Sequence, residues 1–176
     1  MSMDLDVKIT RNIDINHMLI NCQKELVNLS NFKEMPEMEI FQLKNGLKVE
    51  LNGDHLLEPG ELLIIKFKNM AEEISLAITE INLLLPYIDK DEAGIWGGVS
   101  VQGEDESKFL LAAGIALYLS NYCNSNVIDE RCFWTTERES DYESFSSSLK
   151  NNKFPGNNVD FNLLCHLFYD MLPKGE

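Results

Sequence analysis

Positive charge is scarce in this chain: 15 Lys and Arg stand against 29 Asp and Glu over 176 residues, a formal net charge of -14. A surface of that sign repels the phosphate backbone of nucleic acids and anionic lipid, and it attracts basic proteins faster than a neutral surface does. Long apolar runs are missing too. No stretch reaches the roughly 18 apolar residues that a membrane span needs. The start, Met1-Ser2-Met3-Asp4-Leu5-Asp6, lacks both the basic residues and the apolar run of a secretory signal. A soluble cytoplasmic protein is the expectation. Paired cysteines are likewise absent. Cys22, Cys123, Cys132 and Cys165 are dispersed, with no C-x-x-C and no His beside a Cys pair, so reduced and mostly buried thiols are expected rather than a zinc site. Cys165 and His166 adjoin in sequence, but helical neighbours point about 100° apart, which assigns Cys165 to the core.

Motifs of catalysis are absent as well. The chain has no G-x-S-x-G, no H-E-x-x-H and no deaminase-type His/Glu with a Cys pair, and His17, His55 and His166 lie far apart in sequence. Gly97-Gly98 is not followed by the G-x-G-x-x-G or G-x-x-x-x-G-K-[ST] pattern of a phosphate cradle; inside a strand, such glycines mark a bulge or a close approach of another backbone. Neither cofactor nor metal is expected, and catalysis is the least favoured of the readings considered below.

What is present is a globular pattern, 44% hydrophobic and 25% charged, sufficient for one domain with a real core. Residues 5–10 alternate as a half-buried strand does. Ile15, Met18, Leu19, Cys22, Leu26 and Leu29 then form a helical stripe with Asp14 as its N-cap. Asn45-Gly46 predicts a type I′ hairpin between 38–44 and 47–52, in a register that sets Ile40 against Leu51 and Gln42 against Val49. A more buried strand follows at 61–68. The stretch 71–88 fits two periods: Ile74, Leu76 and Ile78 alternate, whereas Ile74, Ala77, Ile78, Ile81, Leu84, Leu85 and Ile88 make a helical face. Asn69 and Glu72 resemble a capping box, and the helical period over 70–85 is preferred. Asp89–Glu92 reads as an exposed loop, 95–102 as a strand, 106–122 as a helix apolar nearly all round, and 127–128 as a short strand. A helix holding Glu137, Glu139, Asp141 and Glu143, a loop at 151–158 and an amphipathic helix over 160–172 complete the chain. The expected fold is α+β: one domain over 1–176, with a mixed, mainly antiparallel sheet, the hairpin at 45–46 and packed helices.

Acids crowd into 129–143, where aromatics stand among them. Asp129, Glu130, Trp134, Glu137, Glu139, Asp141, Tyr142 and Glu143 are the candidate partner-binding residues, since aromatic anchors supply desolvated contact area while carboxylates steer a basic partner. The competing reading is a solvated face with Phe133 and Trp134 in the core.

The run Leu110-Leu111-Ala112-Ala113-Gly114-Ile115-Ala116-Leu117-Tyr118-Leu119, the polar turn after it, Val127-Ile128-Asp129-Glu130 and the pair Phe133-Trp134 resemble the Ala/Leu-rich helix and short V-x-D-E-like strand of bacterial toxin-immunity proteins. Those of contact-dependent inhibition systems are among them. The resemblance spans 95–136. It implies an acidic, non-catalytic inhibitor that binds a cognate basic toxin domain, in many such systems a nuclease, and covers its active site. The charge and the lack of a membrane span add the expectation of no contact with nucleic acid or membrane, and a monomer is expected. The alternative from another class is an acidic secretion chaperone that holds an effector protein on apolar strips; a small cytoplasmic enzyme comes third.

Overall fold

Alternation of apolar and polar side chains builds the sheet. In the computed structural model, which describes residues 2–51, 53–81, 92–150 and 159–174, Met3, Leu5 and Val7 of β1 (Ser2–Ile9) are buried in step with Leu63, Ile65 and Phe67 of β4 (Leu62–Phe67). Ile74, Leu76 and Ile78 of β5 (Glu73–Ile81) and Val99 and Val101 of β6 (Gly94–Gln102) follow the same period. Registered pairing turns these positions into rows across the sheet: Gln42, Leu63, Leu76, Val99 and Leu5 face one another from strand to strand. With β2 (Met38–Lys44), β3 (Leu47–Glu50), β7 (Val127–Ile128) and β8 (Glu139–Ser140), the order is β3-β2-β4-β5-β6-β1-β7-β8, and every neighbouring pair is antiparallel.

The hairpin forms at its expected place and register. Asn45 and Gly46 both take positive φ, 52° and 78°, as a type I′ turn requires. Gln42 pairs with Val49, and the Leu51 amide donates to the Ile40 carbonyl at 3.1 Å.

Helix α1 (Ile15–Ser30) begins where Asp14 accepts a hydrogen bond from the His17 amide at 2.9 Å, and it buries Ile15, Met18, Cys22, Leu26 and Leu29. Helix α2 (Glu106–Cys123) is buried on all sides from Phe109 to Ser120. Its position explains that composition: it lies against β1, β4, β5, β6 and β7, while α1, α3 (Tyr142–Lys150) and α4 (Phe161–Met171) pack on it from outside. Strands β6 and β7 are both antiparallel to β1, so they run parallel to each other with β1 between them and α2 as the crossover. The helices thus share one face of the sheet, and no described helix covers the other.

Two expectations need correction. The stretch read as a helix over 70–85 is strand β5, and Asn69, expected as a cap, is a left-handed turn residue at φ 63°. Ladders on both sides, to β4 and β6, satisfy the β5 backbone, and Ser75, Ala77 and Thr79 alternate with the buried Ile74, Leu76 and Ile78. Tertiary pairing overrides the helical period; the part of that stripe at 84–88 lies outside the described residues, as do 89–91 of the expected acidic loop and the loop at 151–158. The second correction concerns 137–143, which is not one helix: Glu139 belongs to β8, and α3 starts only at Tyr142.

Among the described residues, no helix is long and apolar enough to cross a membrane.

Candidate partner-binding surface

The polar halves of the strand alternations lie on the helix-free face. There Asp6 of β1 is paired with Gly98 of β6 on one side and Ile128 of β7 on the other, and Ile128 in turn pairs with Glu139 of β8. Gly98 makes room for the carboxylate: a Cβ at that position would sit 3.0 Å from Asp6 Oδ1. Gly97 serves the opposite face, where a Cβ would meet Leu119 of α2 at 3.2 Å. The glycine pair therefore marks close approach, by side chains rather than by another backbone.

Around Asp6 the face is concave. A groove of about 620 Å³ is lined by Asp6, Thr79, Ile81, Glu92, Trp96, Gly98, Ile128, Glu130 and Glu139. Four carboxylates thus surround an apolar floor of Trp96, Ile81 and Ile128, and no cation is among the described residues that line it. The indole of Trp96 is fixed by a hydrogen bond to the Glu92 carbonyl at 2.8 Å, and the Lys8 ammonium lies 5.8 Å from its ring centre, at the border of the groove. Partial burial, and then the charge of Asp4, raise the Asp6 pKa above the usual carboxylate value. Burial disfavours the ionised form because few dipoles replace water around it.

The eight residues expected to bind a partner divide into three groups. Asp129 and Trp134 are buried, at 2% and 1% exposure, and the expectation that they meet a partner directly is corrected. The Asp129 carboxylate faces inward and organises its loop: Oδ1 accepts from the Phe133 amide at 3.1 Å, and Oδ2 accepts from the amides of Trp134 at 2.7 Å and Thr135 at 3.0 Å. Trp134 packs on Phe109 of α2, ring centres 5.5 Å apart. Hydrophobic burial and amide satisfaction hold both side chains in the core.

Glu130 and Glu139 form the second group, on the groove. Glu130 is exposed and paired with Arg138, while Glu139 accepts from Asn126 Nδ2 at 2.6 Å. The third group points elsewhere. Asp141 and Tyr142, with Glu143, border a separate polar depression of about 360 Å³ that also includes Asn121, Asn124 and Asn126. Asp141 caps α3, accepting from the Ser144 amide at 2.8 Å, and this bond lowers its pKa. The Tyr142 hydroxyl donates to the buried Glu25 at 2.9 Å; burial first, and then Glu25, push its pKa up to about 12. Glu137 is exposed on the loop between β7 and β8.

No relative decides the matter. No family model matches the chain, no curated protein matches it, and no solved structure matches it. The surface must therefore be judged on its own chemistry. Among the described residues, no group of three or more His, Cys, Asp or Glu could hold a metal ion. A concave sheet face bearing carboxylates around an indole suits Lys and Arg side chains, whose stems pack on the aromatic ring while their charged ends meet carboxylates. Sequence reasoning missed Asp6 and Trp96. The visible signal was Gly98, whose missing side chain in a strand is explained by the carboxylate laid across it.

Proposed function

We propose that this protein is an inhibitor of a basic protein, best described as an immunity protein that covers the active cleft of a cationic toxin with the helix-free face of its sheet. The single observation that supports this reading best is the groove around Asp6: four carboxylates and an indole on one face of the sheet, with no cation among the described residues of its lining. An enzyme acting on phosphate-bearing substrates, such as a nuclease, gathers Lys and Arg in its cleft. Carboxylates held on a sheet meet those cations where phosphates otherwise would, and Trp96 adds contact area at small conformational cost. The net charge of -14 speeds encounter with such a partner and disfavours direct contact with nucleic acid or anionic membrane. The inhibitor would act in the cytoplasm of the cell it protects.

Co-expression of this chain with a basic toxin domain recovered with it by pull-down and mass spectrometry is the test. Growth should be restored by the wild type and not by the triple variant Asp6→Asn, Glu130→Gln, Glu139→Gln, although both accumulate to the same level. Failure of the wild type to protect, or equal protection by the triple variant, would overturn the reading. A partner recovered in extended form and active on release would point instead to a secretion chaperone.

A further inference from the structure

We propose that β3 is a self-association edge, where two copies of this chain pair antiparallel about a two-fold axis at Val49. Among the described residues β3 ends the sheet, and all four of its residues are exposed. Of the five large hydrophobic side chains exposed among the described residues, two are here, Leu47 at 71% and Val49 at 46%. The hairpin fixes which backbone groups are free. Leu51 donates to Ile40, so the pairs Ile40–Leu51, Gln42–Val49 and Lys44–Leu47 are the hydrogen-bonded ones, and the N–H and C=O groups of Lys48 and Glu50 point away from β2.

A second β3 laid against those groups with Val49 opposite Val49 sets Lys48 opposite Glu50 twice over. The two pairs exchange four main-chain hydrogen bonds and match opposite charges across the strands, the exposed Lys48 ammonium turning to Glu50 of the second copy from its own Glu73, while the remaining contacts set Leu47 against Leu51. No other register of the strand with itself places both charged residues against their opposites and leaves apolar against apolar. The two sheets then run on as one, with the helices of both copies on the same side. A strand this short buries little area, so the dimer is weak and concentration-dependent. The opposite end of the sheet, with β1, β7, β8 and the groove, remains open in it, so this inference stands independently of the proposed function.

Sedimentation velocity over a concentration series reaching the millimolar range tests the register by charge exchange. The wild type should show a concentration-dependent dimer. Lys48→Glu sets carboxylate against carboxylate and Glu50→Lys sets ammonium against ammonium, and each should shift the midpoint to at least tenfold higher concentration. The double exchange Lys48→Glu, Glu50→Lys should restore it. Glu50→Lys is decisive, because it makes an acidic chain less negative and would strengthen any association governed by net charge alone. All four positions of β3 are exposed and the Lys48–Glu73 pair that Lys48→Glu removes is a surface one, so the variants should fold, which melting curves check; Glu50→Lys leaves that pair in place. A monomeric wild type at the highest concentration, single variants that dimerise like the wild type, or a double variant no better than the singles would each overturn the inference.

Discussion

Replacing Asp129 by Asn separates a structural carboxylate from a partner-binding one. The buried Asp129 side chain accepts three main-chain amides, from Phe133, Trp134 and Thr135, at 2.7–3.1 Å. An asparagine has one acceptor oxygen. Placed at the Oδ2 position it keeps Trp134 and Thr135, but it turns its own NH2 toward the Phe133 amide. The change removes one bond to a charged group, worth about 1.5–3 kcal/mol, and weakens the other two, a total of about 2–4 kcal/mol. In a domain of this size that corresponds to a fall in melting temperature of about 4–16 °C. Asp129→Ala leaves all three donors without their partner and should cost more than Asn. Urea denaturation followed by tryptophan fluorescence reads the effect directly, since Trp134 is in the affected loop. If Asp129→Asn unfolds at the wild-type urea concentration, the carboxylate does not hold the loop and the inward assignment fails.

Gly46→Val should destabilise the fold by about 1–3 kcal/mol, because a β-branched residue resists the positive φ of the turn; no neighbour lies within 4 Å of the added Cβ, so an unchanged urea midpoint would remove backbone strain as the cause. Asp6→Asn should raise stability at neutral pH and weaken partner binding: the folded-state pKa of Asp6 lies above its ordinary value of 3.8, so its contribution is most favourable below that value and declines as pH rises through the folded pKa. Melting curves at acid and neutral pH check it, and a variant less stable than the wild type at neutral pH would refute it. His166 has its pKa raised by the hydrogen bond and charge of Glu106 and by Asp170; its stabilisation is present below about pH 6.5 and lost as pH rises through the higher folded value. His166→Gln should therefore flatten the stability profile above pH 6.5, and an unaltered slope there would show that these pairs hold no α4–α2 contact in solution.

Local chemistry was the legible part of this fold. The hairpin register follows from two residues, Asn45 and Gly46, and the α1 boundary from Asp14, because each acts within a few residues of itself. Strand β5 was not legible, since Ile74, Leu76 and Ile78 fit both periods and only the ladders to β4 and β6, formed with residues distant in sequence, decide between them. The candidate surface was half legible for the same reason. Crowded acids at 129–143 announce charge but not direction: Asp129 turns inward to three amides, Asp141 is used as a cap, and Glu130 and Glu139 reach the helix-free face. Their companions Asp6 and Trp96 come from β1 and β6, and only the sheet order brings those strands beside β7 and β8.

The central claim, that a basic partner docks on the groove face rather than anywhere on an acidic surface, is tested most directly by association kinetics with two amide pairs of equal charge change. Asp6→Asn with Glu139→Gln removes two of the four carboxylates of the groove; Glu137→Gln with Glu143→Gln removes two acids outside its lining. Stopped-flow association with the basic toxin domain recovered by pull-down, at low and at physiological salt, should be slower and less salt-dependent for the groove pair, and near the wild-type rate for the other pair. Equal slowing by both pairs would mean that net charge alone steers the encounter, and no slowing by the groove pair would contradict docking on this face.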